Sequence, residues 1–211
     1  MFGVGSPVAR LMFVGEAPGF HEDRQGEPFV GQAGKLLTSL LEQIGLTRQD
    51  VYIANVIKCR PPENRDPLPD EIEACSHRLM EQISAIRPDV ICTLGRFAAK
   101  LLTGTELSMT QIHGKAKPMS LGGVDLVVFP VFHPAAALYT PSNRTVLEED
   151  FRRLEVLLDK GLAGLKGASA PTPGPETSGS ADATERAPVD NQAAGVATPG
   201  AGTDGEQLHL W

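Results

Sequence analysis

The sequence predicts an α/β protein: a three-layer α/β/α sandwich on a central four-stranded parallel sheet, followed by a disordered C-terminal tail. Two observations carry that expectation. Short apolar runs of strand length alternate four times with longer segments whose apolar residues recur at helical spacing, the pattern of a parallel sheet covered on both faces. From residue 161 to residue 206 the chain turns to Ala, Gly, Pro, Thr and Ser, with few large apolar side chains to offset the entropy of ordering. The expected organisation is a domain over 1–160, a linker over 161–206 and a terminal peptide over 207–211. With 211 residues and 41% apolar content there is enough for one well-packed domain and hardly for two.

Along the chain, ARLMFVG (9–15) is an apolar run suited to a buried strand, and AGKLLTSLLEQIG (33–45) has helical periodicity with a glycine stop. VYIANVI (51–57) reads as a second strand, with a polar, proline-rich loop after it over 59–69. Pro69 suits a helix start and leads into a segment with small or apolar residues at Ile72, Cys75, Leu79, Ile83 and Ile86. DVICTLG (89–95) is a third strand, and RFAAKLLTG (96–104) a short helix ending on glycine. Residues 105–123 show no period and read as loop. VDLVVFPVF (124–132) is a fourth strand, and residues 143–160 form a last helix.

The formal net charge is −7. Residues 161–211 hold two basic side chains, Lys166 and Arg186, against six acidic ones, so they carry −4 and leave −3 for the domain. That excludes an indiscriminate nucleic-acid coat but not a local basic face, because affinity for DNA depends on the few cations near phosphates. No apolar run approaches the roughly 20 residues of a membrane span, and no signal peptide is visible, so a cytoplasmic protein is expected. In a reducing compartment Cys59, Cys75 and Cys92 read as thiols or metal ligands. Cys92, within a strand, reads as a buried small residue.

The densest chemistry lies in GEAPGFHEDRQGEPFVGQAGKLL (15–37), between the first strand and the first helix. It occupies the carboxyl end of a strand, where open α/β sheets bind ligands. Neither GxGxxG nor GxxxxGK[ST] is present, so a generic phosphate loop is disfavoured. The order and spacing of these residues closely resemble motif A of the family 4 uracil-DNA glycosylases, the iron-sulfur members of their superfamily. The likeness continues through NVIKCRPPENRDPLPDEIEAC (55–75) and ends at HPAAAL (133–138), covering almost all of residues 1–160.

The resemblance implies a monofunctional enzyme that hydrolyses the N-glycosidic bond of deoxyuridine in DNA, starting base excision repair. It implies Phe29 as the ring that stacks on uracil, against the alternative of a core phenylalanine. Asn55 would read the uracil edge, since its carboxamide sets a donor beside an acceptor; a turn or cap residue is the alternative. His133 would donate to uracil O2 as negative charge grows there. Glu22 would crowd the methyl group of thymine, and Glu16 would help to hold water, although both also read as solvated loop carboxylates. Ala17 stands where some superfamily members have a water-orienting aspartate, a task alanine cannot perform. His113, Lys115, Lys117 and Arg144 are candidate contacts to DNA phosphates, with solvated surface cations as the alternative.

The resemblance also implies a 4Fe-4S cluster, with Cys59 and Cys75 spaced as its last two ligands. Four thiolates are required, and the family's first two form a CxxC upstream of the first strand, which this chain lacks. The expectation is therefore either a start further upstream or an incomplete cluster. The last residues, QLHLW, resemble the bacterial sliding-clamp-binding peptide, with Gln207, Leu208, Leu210 and Trp211 as its anchors. A monomer is expected. Two rival readings remain: a uracil-DNA binding or trapping protein with little turnover, and a non-enzymatic module associated with the clamp.

Overall fold

The computed structural model describes residues 1–160; the linker and the terminal peptide expected over 161–211 lie outside the described residues. The chain order is β1 (Val4–Gly5), β2 (Leu11–Gly15), α1 (Phe20–Gln25), α2 (Gln32–Gln43), β3 (Tyr52–Asn55), a 3₁₀ turn at Pro62–Asn64, α3 (Pro69–Ile86) and β4 (Val90–Leu94). Then come α4 (Arg96–Thr103), α5 (Met109–Ile112), β5 (Lys117–Leu121), β6 (Val124–Val131), α6 (Pro134–Tyr139) and α7 (Pro141–Lys160).

The strands form one sheet in the order β1-β3-β2-β4-β6-β5. The four strands read from the sequence are neighbours and run parallel, with Phe13 opposite Ile53 and Cys92, and Cys92 opposite Phe129. The sheet as a whole is nevertheless six-stranded and mixed, which corrects the expected four-stranded parallel sheet. β1 pairs antiparallel with β3, and β5 antiparallel with β6. β1 has two residues, too few for any periodicity. β5 reads KPMSL and is largely exposed, so it lacks the apolar run of a buried strand. Its signal was the turn: Gly122 and Gly123, at φ 56° and 74°, connect the paired residues Leu121 and Val124. Two central residues at positive φ make the hairpin turn that matches strand twist, so residues 105–123 are not the single loop expected.

Parallel strands are buried on both faces and therefore read as continuous apolar runs; β2 and β4 are buried throughout. Successive side chains alternate between two cores. On one face Phe13, Ile53, Cys92 and Phe129 meet Leu37 and Leu40 of α2 and Leu147, Phe151 and Leu154 of α7. Phe13 and Phe151 stack at 5.8 Å. On the other face Met12, Val14, Ala54, Ile91 and Val128 meet Leu79 and Ile83 of α3 and Ala98 and Leu102 of α4. Burying each Val, Leu, Ile, Phe or Met side chain among them contributes about 1.5–3 kcal/mol, and helices cover both faces of the central strands. Among the described residues no helix is long and apolar enough to cross a membrane.

Because β3 lies on one side of β2 and β4 on the other, the chain leaves β2 and β4 in opposite directions. That reversal opens a crevice at the carboxyl ends of the strands.

Candidate active site

Four strand ends meet at this crevice: Gly15 closing β2 with Glu16 after it, Asn55 closing β3, Gly95 after β4, and His133 after β6. Gly15 explains how tightly they pack. A Cβ there would stand 2.5 Å from Asn55 Oδ1 and 2.7 Å from Phe29 Cζ, so only glycine admits both groups. Asn55 is 3% exposed and its Oδ1 has no hydrogen-bond partner. An orphaned buried acceptor costs about 1–3 kcal/mol unless something fills it.

Phe29 is buried at the pocket side of its loop, with its backbone at φ 56°. Three clasps hold that uncommon conformation. Arg48 donates to the carbonyls of Phe29 at 3.1 Å and Pro28 at 2.6 Å. Glu22 Oε1 accepts from the N–H groups of Val30 and Gly31, at 3.0 and 3.1 Å. Gly34, in the first turn of α2, lets the Phe29 carbonyl sit where a Cβ would otherwise be. Glu22 is thus tied to the loop that carries Phe29, with one oxygen spent on pinning it.

The His133 ring lies 5.6 Å from the Phe29 ring, tilted by 33°. It caps α6, and its Nδ1 accepts from the Ala135 N–H at 3.1 Å. A neutral imidazole whose Nδ1 accepts carries its proton on Nε2, leaving that atom as a donor. Burial pushes the His133 pKa down to about 4, with Glu22 opposing, so the neutral form prevails at physiological pH.

Glu16 is half-buried, and its Oε1 also lacks a partner. Burial and the charge of Asp66 push its pKa up to about 7, while Arg96 pulls it down. The carboxyl therefore changes charge near neutrality, as a group that handles water would. Ala17 brings only a methyl, packed against the apolar cluster of the second face.

The expected DNA contacts divide. His113 is not a free surface group: its Nδ1 is 2.8 Å from Oδ2 of the fully buried Asp150, and its ring is 4.9 Å from that of Phe132. Arg144 pairs with Glu148 at 3.1 Å. Lys117 donates to the Thr103 carbonyl, and Lys115 is exposed. Cys59 is exposed, Cys75 half-buried and Cys92 buried, the last as expected. Among the described residues no cluster of three or more His, Cys, Asp or Glu side chains is arranged to hold a metal ion.

Lys58 escaped the sequence reading. It is 7% exposed, and its ammonium donates to the Asn55 carbonyl at 2.8 Å and to Gln82 Oε1 at 2.6 Å. Burial lowers its pKa to about 8. A lysine three residues past a strand end gives no periodic signal, so only the fold reveals it. Arg48 escaped for the same reason.

Comparison with known proteins fits this geometry. The sequence model of the Uracil DNA glycosylase superfamily matches residues 2–155. The chain is 51% identical over 162 residues to a type-4 uracil-DNA glycosylase of Archaeoglobus fulgidus, covering 75% of this chain and 81% of that protein. It is 52% identical over 161 residues to one of Saccharolobus solfataricus, covering 74% of each. To one of Thermotoga maritima it is 46% identical over 162 residues, covering 75% and 82%. Four strand ends aimed at one crevice, an orphaned amide beside a clasped aromatic, and this degree of identity lead to one conclusion: the chain belongs to the uracil-DNA glycosylase superfamily.

Proposed function

We propose that this protein is a monofunctional uracil-DNA glycosylase that hydrolyses the bond between uracil and deoxyribose, leaving an abasic site for DNA repair. The observation that carries this reading is the buried, unpartnered Oδ1 of Asn55 beside the Phe29 ring. An acceptor held there fits the N3–H of uracil, and the same amide can donate to O4. Cytosine presents the reverse pattern and would leave buried groups unpaired.

The nucleotide must leave the stack to reach this crevice. Phe29 then covers one face of the base, and Glu22, fixed by two N–H groups, forms the wall that a thymine methyl would strike. As the N1–C1′ bond breaks, its electron pair goes to the uracil ring and spreads onto O2. His133 donates from Nε2 to that oxygen, a contact stronger in the transition state than in the ground state. Water adds to C1′, its hydroxyl to the sugar and its proton ending on uracil. Glu16, when ionised, accepts from that water. Ala17 supplies no carboxylate. His113, Lys115 and Arg144 lie outside this chemistry and are assigned to the DNA backbone, His113 through the Nε2 that Asp150 leaves free.

A 4Fe-4S cluster needs four thiolates. Cys59 and Cys75 would supply two, and the described residues do not complete the set, so no step is routed through a cluster. Its contribution when bound would be structural, bracing the loop after β3 against α3. The terminal Gln207, Leu208, Leu210 and Trp211 are assigned to a bacterial sliding clamp, and the working compartment to the cytoplasm. We favour a monomer.

The test is a uracil-containing oligonucleotide assayed with the purified chain. Free uracil released over many turnovers supports the enzyme. A stable protein-DNA adduct would instead identify a trap, and neither outcome would leave a non-enzymatic module.

A further inference from the structure

Phe20 opens α1 and is 46% exposed, an uncommon place for a phenylalanine on a surface helix. Two guanidinium groups lie over its ring: Arg24 from the same helix at 5.4 Å and Arg60 from the loop after β3 at 5.2 Å. His21 meets the ring edge-on at 5.5 Å. Like charges repel, yet both cations converge on one ring, whose negative face attracts each of them.

Neither cation is neutralised. Among the described residues, neither Arg24 nor Arg60 forms an ion pair, unlike Arg10, Arg65, Arg78, Arg144 and Arg153. Arg60 is oriented by a hydrogen bond from its Nε to Asn64 Oδ1 at 2.6 Å, which leaves the outer two nitrogens of its fork free. Asp23 and Glu63 are exposed and lie nearby in the chain. The ring also spans two loops of the crevice, since α1 comes after the Glu16 turn and Arg60 lies five residues past Asn55.

We propose that Phe20, Arg24 and Arg60 form a phosphate clamp for the substrate DNA strand, with the ring acting as a spacer that presents two guanidinium forks to the backbone. The proposal rests on the glycosylase reading, because that reading puts a DNA strand at this edge. Paired forks suit phosphate oxygens geometrically as well as electrostatically. The clamp carries no sequence information; it fixes register, as phosphate contacts do. It also links the loop after β2 to the cysteine loop through one side chain.

The test is the salt dependence of DNA binding, measured by fluorescence anisotropy with a uracil-containing duplex and its uracil-free counterpart, alongside KM for uracil release. Arg24→Ala and Arg60→Ala should each weaken binding to both duplexes several-fold. Each should flatten the slope of log affinity against log salt by about 0.9. Phe20→Ala should weaken binding as the two arginine variants do together, and Phe20→Trp should restore it. Wild-type affinity and slope in the Arg24→Ala, Arg60→Ala double variant would overturn the clamp, as would Phe20→Ala weakening binding with the slope unchanged. If Phe20→Ala melts early, the double arginine variant decides alone. Failure of the glycosylase reading looks different: the unmutated protein would bind DNA and release no uracil.

Discussion

The ammonium of Lys58 donates to the backbone carbonyl of Asn55 at 2.8 Å, so a buried cation holds the strand end that carries the Asn55 amide. The same ammonium reaches Gln82 on α3, and Gln82 in turn donates to Phe2 and Tyr52. Lys58→Met keeps the volume but leaves the Asn55 and Gln82 oxygens without their donor. Stability should fall by about 1–3 kcal/mol. Misplacing the amide should lower kcat/KM for uracil roughly 10- to 100-fold. Thermal melting and steady-state kinetics check both; unaltered kinetics in a folded variant would show that the support is dispensable.

Asn55→Asp replaces the amide donor by an oxygen. Uracil loses its O4 partner, so kcat/KM on uracil should drop about 10- to 100-fold, the equivalent of one unpaired buried group. When protonated, the acid presents the reversed pattern, and cytosine release becomes measurable at low pH. Competition between uracil and cytosine oligonucleotides across pH reads this directly.

His133→Ala should reduce the rate by on the order of 10² to 10³, as the loss of one preorganised donor to a developing oxyanion does. Single-turnover kinetics isolates that step from product release. A variant with normal turnover would remove His133 from the chemistry.

Glu16 sets the expected pH profile. With its pKa near 7, the carboxylate proposed to accept from water is present above neutrality, so kcat should rise with pH through about 7. His133, near 4, contributes no limb above pH 5. Glu16→Gln should abolish the rise. Stability runs the other way: the folded state keeps this proton up to about 7, the unfolded chain only to 4.5, so stability falls as pH increases across that window. At pH 8 Glu16→Gln should therefore melt about 2–4 °C higher, corresponding to roughly 1 kcal/mol after solvent screening. A calorimetric pH series separates the two effects.

How much of this was legible in the chain depended on what each residue's signal was made of. The four parallel strands declare themselves because burial on both faces favours nearly continuous apolar runs, as LMFVG shows and VICTL, with its one buried threonine, nearly does. Phe29, Asn55 and His133 stood out because their neighbours form long motifs, and the fold brings them to one crevice. The edge strands stayed hidden: a half-solvated KPMSL obeys no burial rule, although the Gly122-Gly123 turn announced its hairpin. Lys58, Arg48 and Asp150 were illegible for another reason. Each acts by reaching across tens of residues, to Gln82, Phe29 and His113 respectively, and sequence spacing carries no trace of such contacts.

Gly34 turns the clasped mounting of the pocket aromatic into an evolutionary constraint. Any side chain at 34 must displace the Phe29 carbonyl, which also accepts from Arg48. Both contacts fall on the backbone of residue 29 and not on its ring. A lineage could therefore trade the ring for another side chain in one step, but it could not move the loop that carries the ring without changing the glycine or losing the arginine's hold.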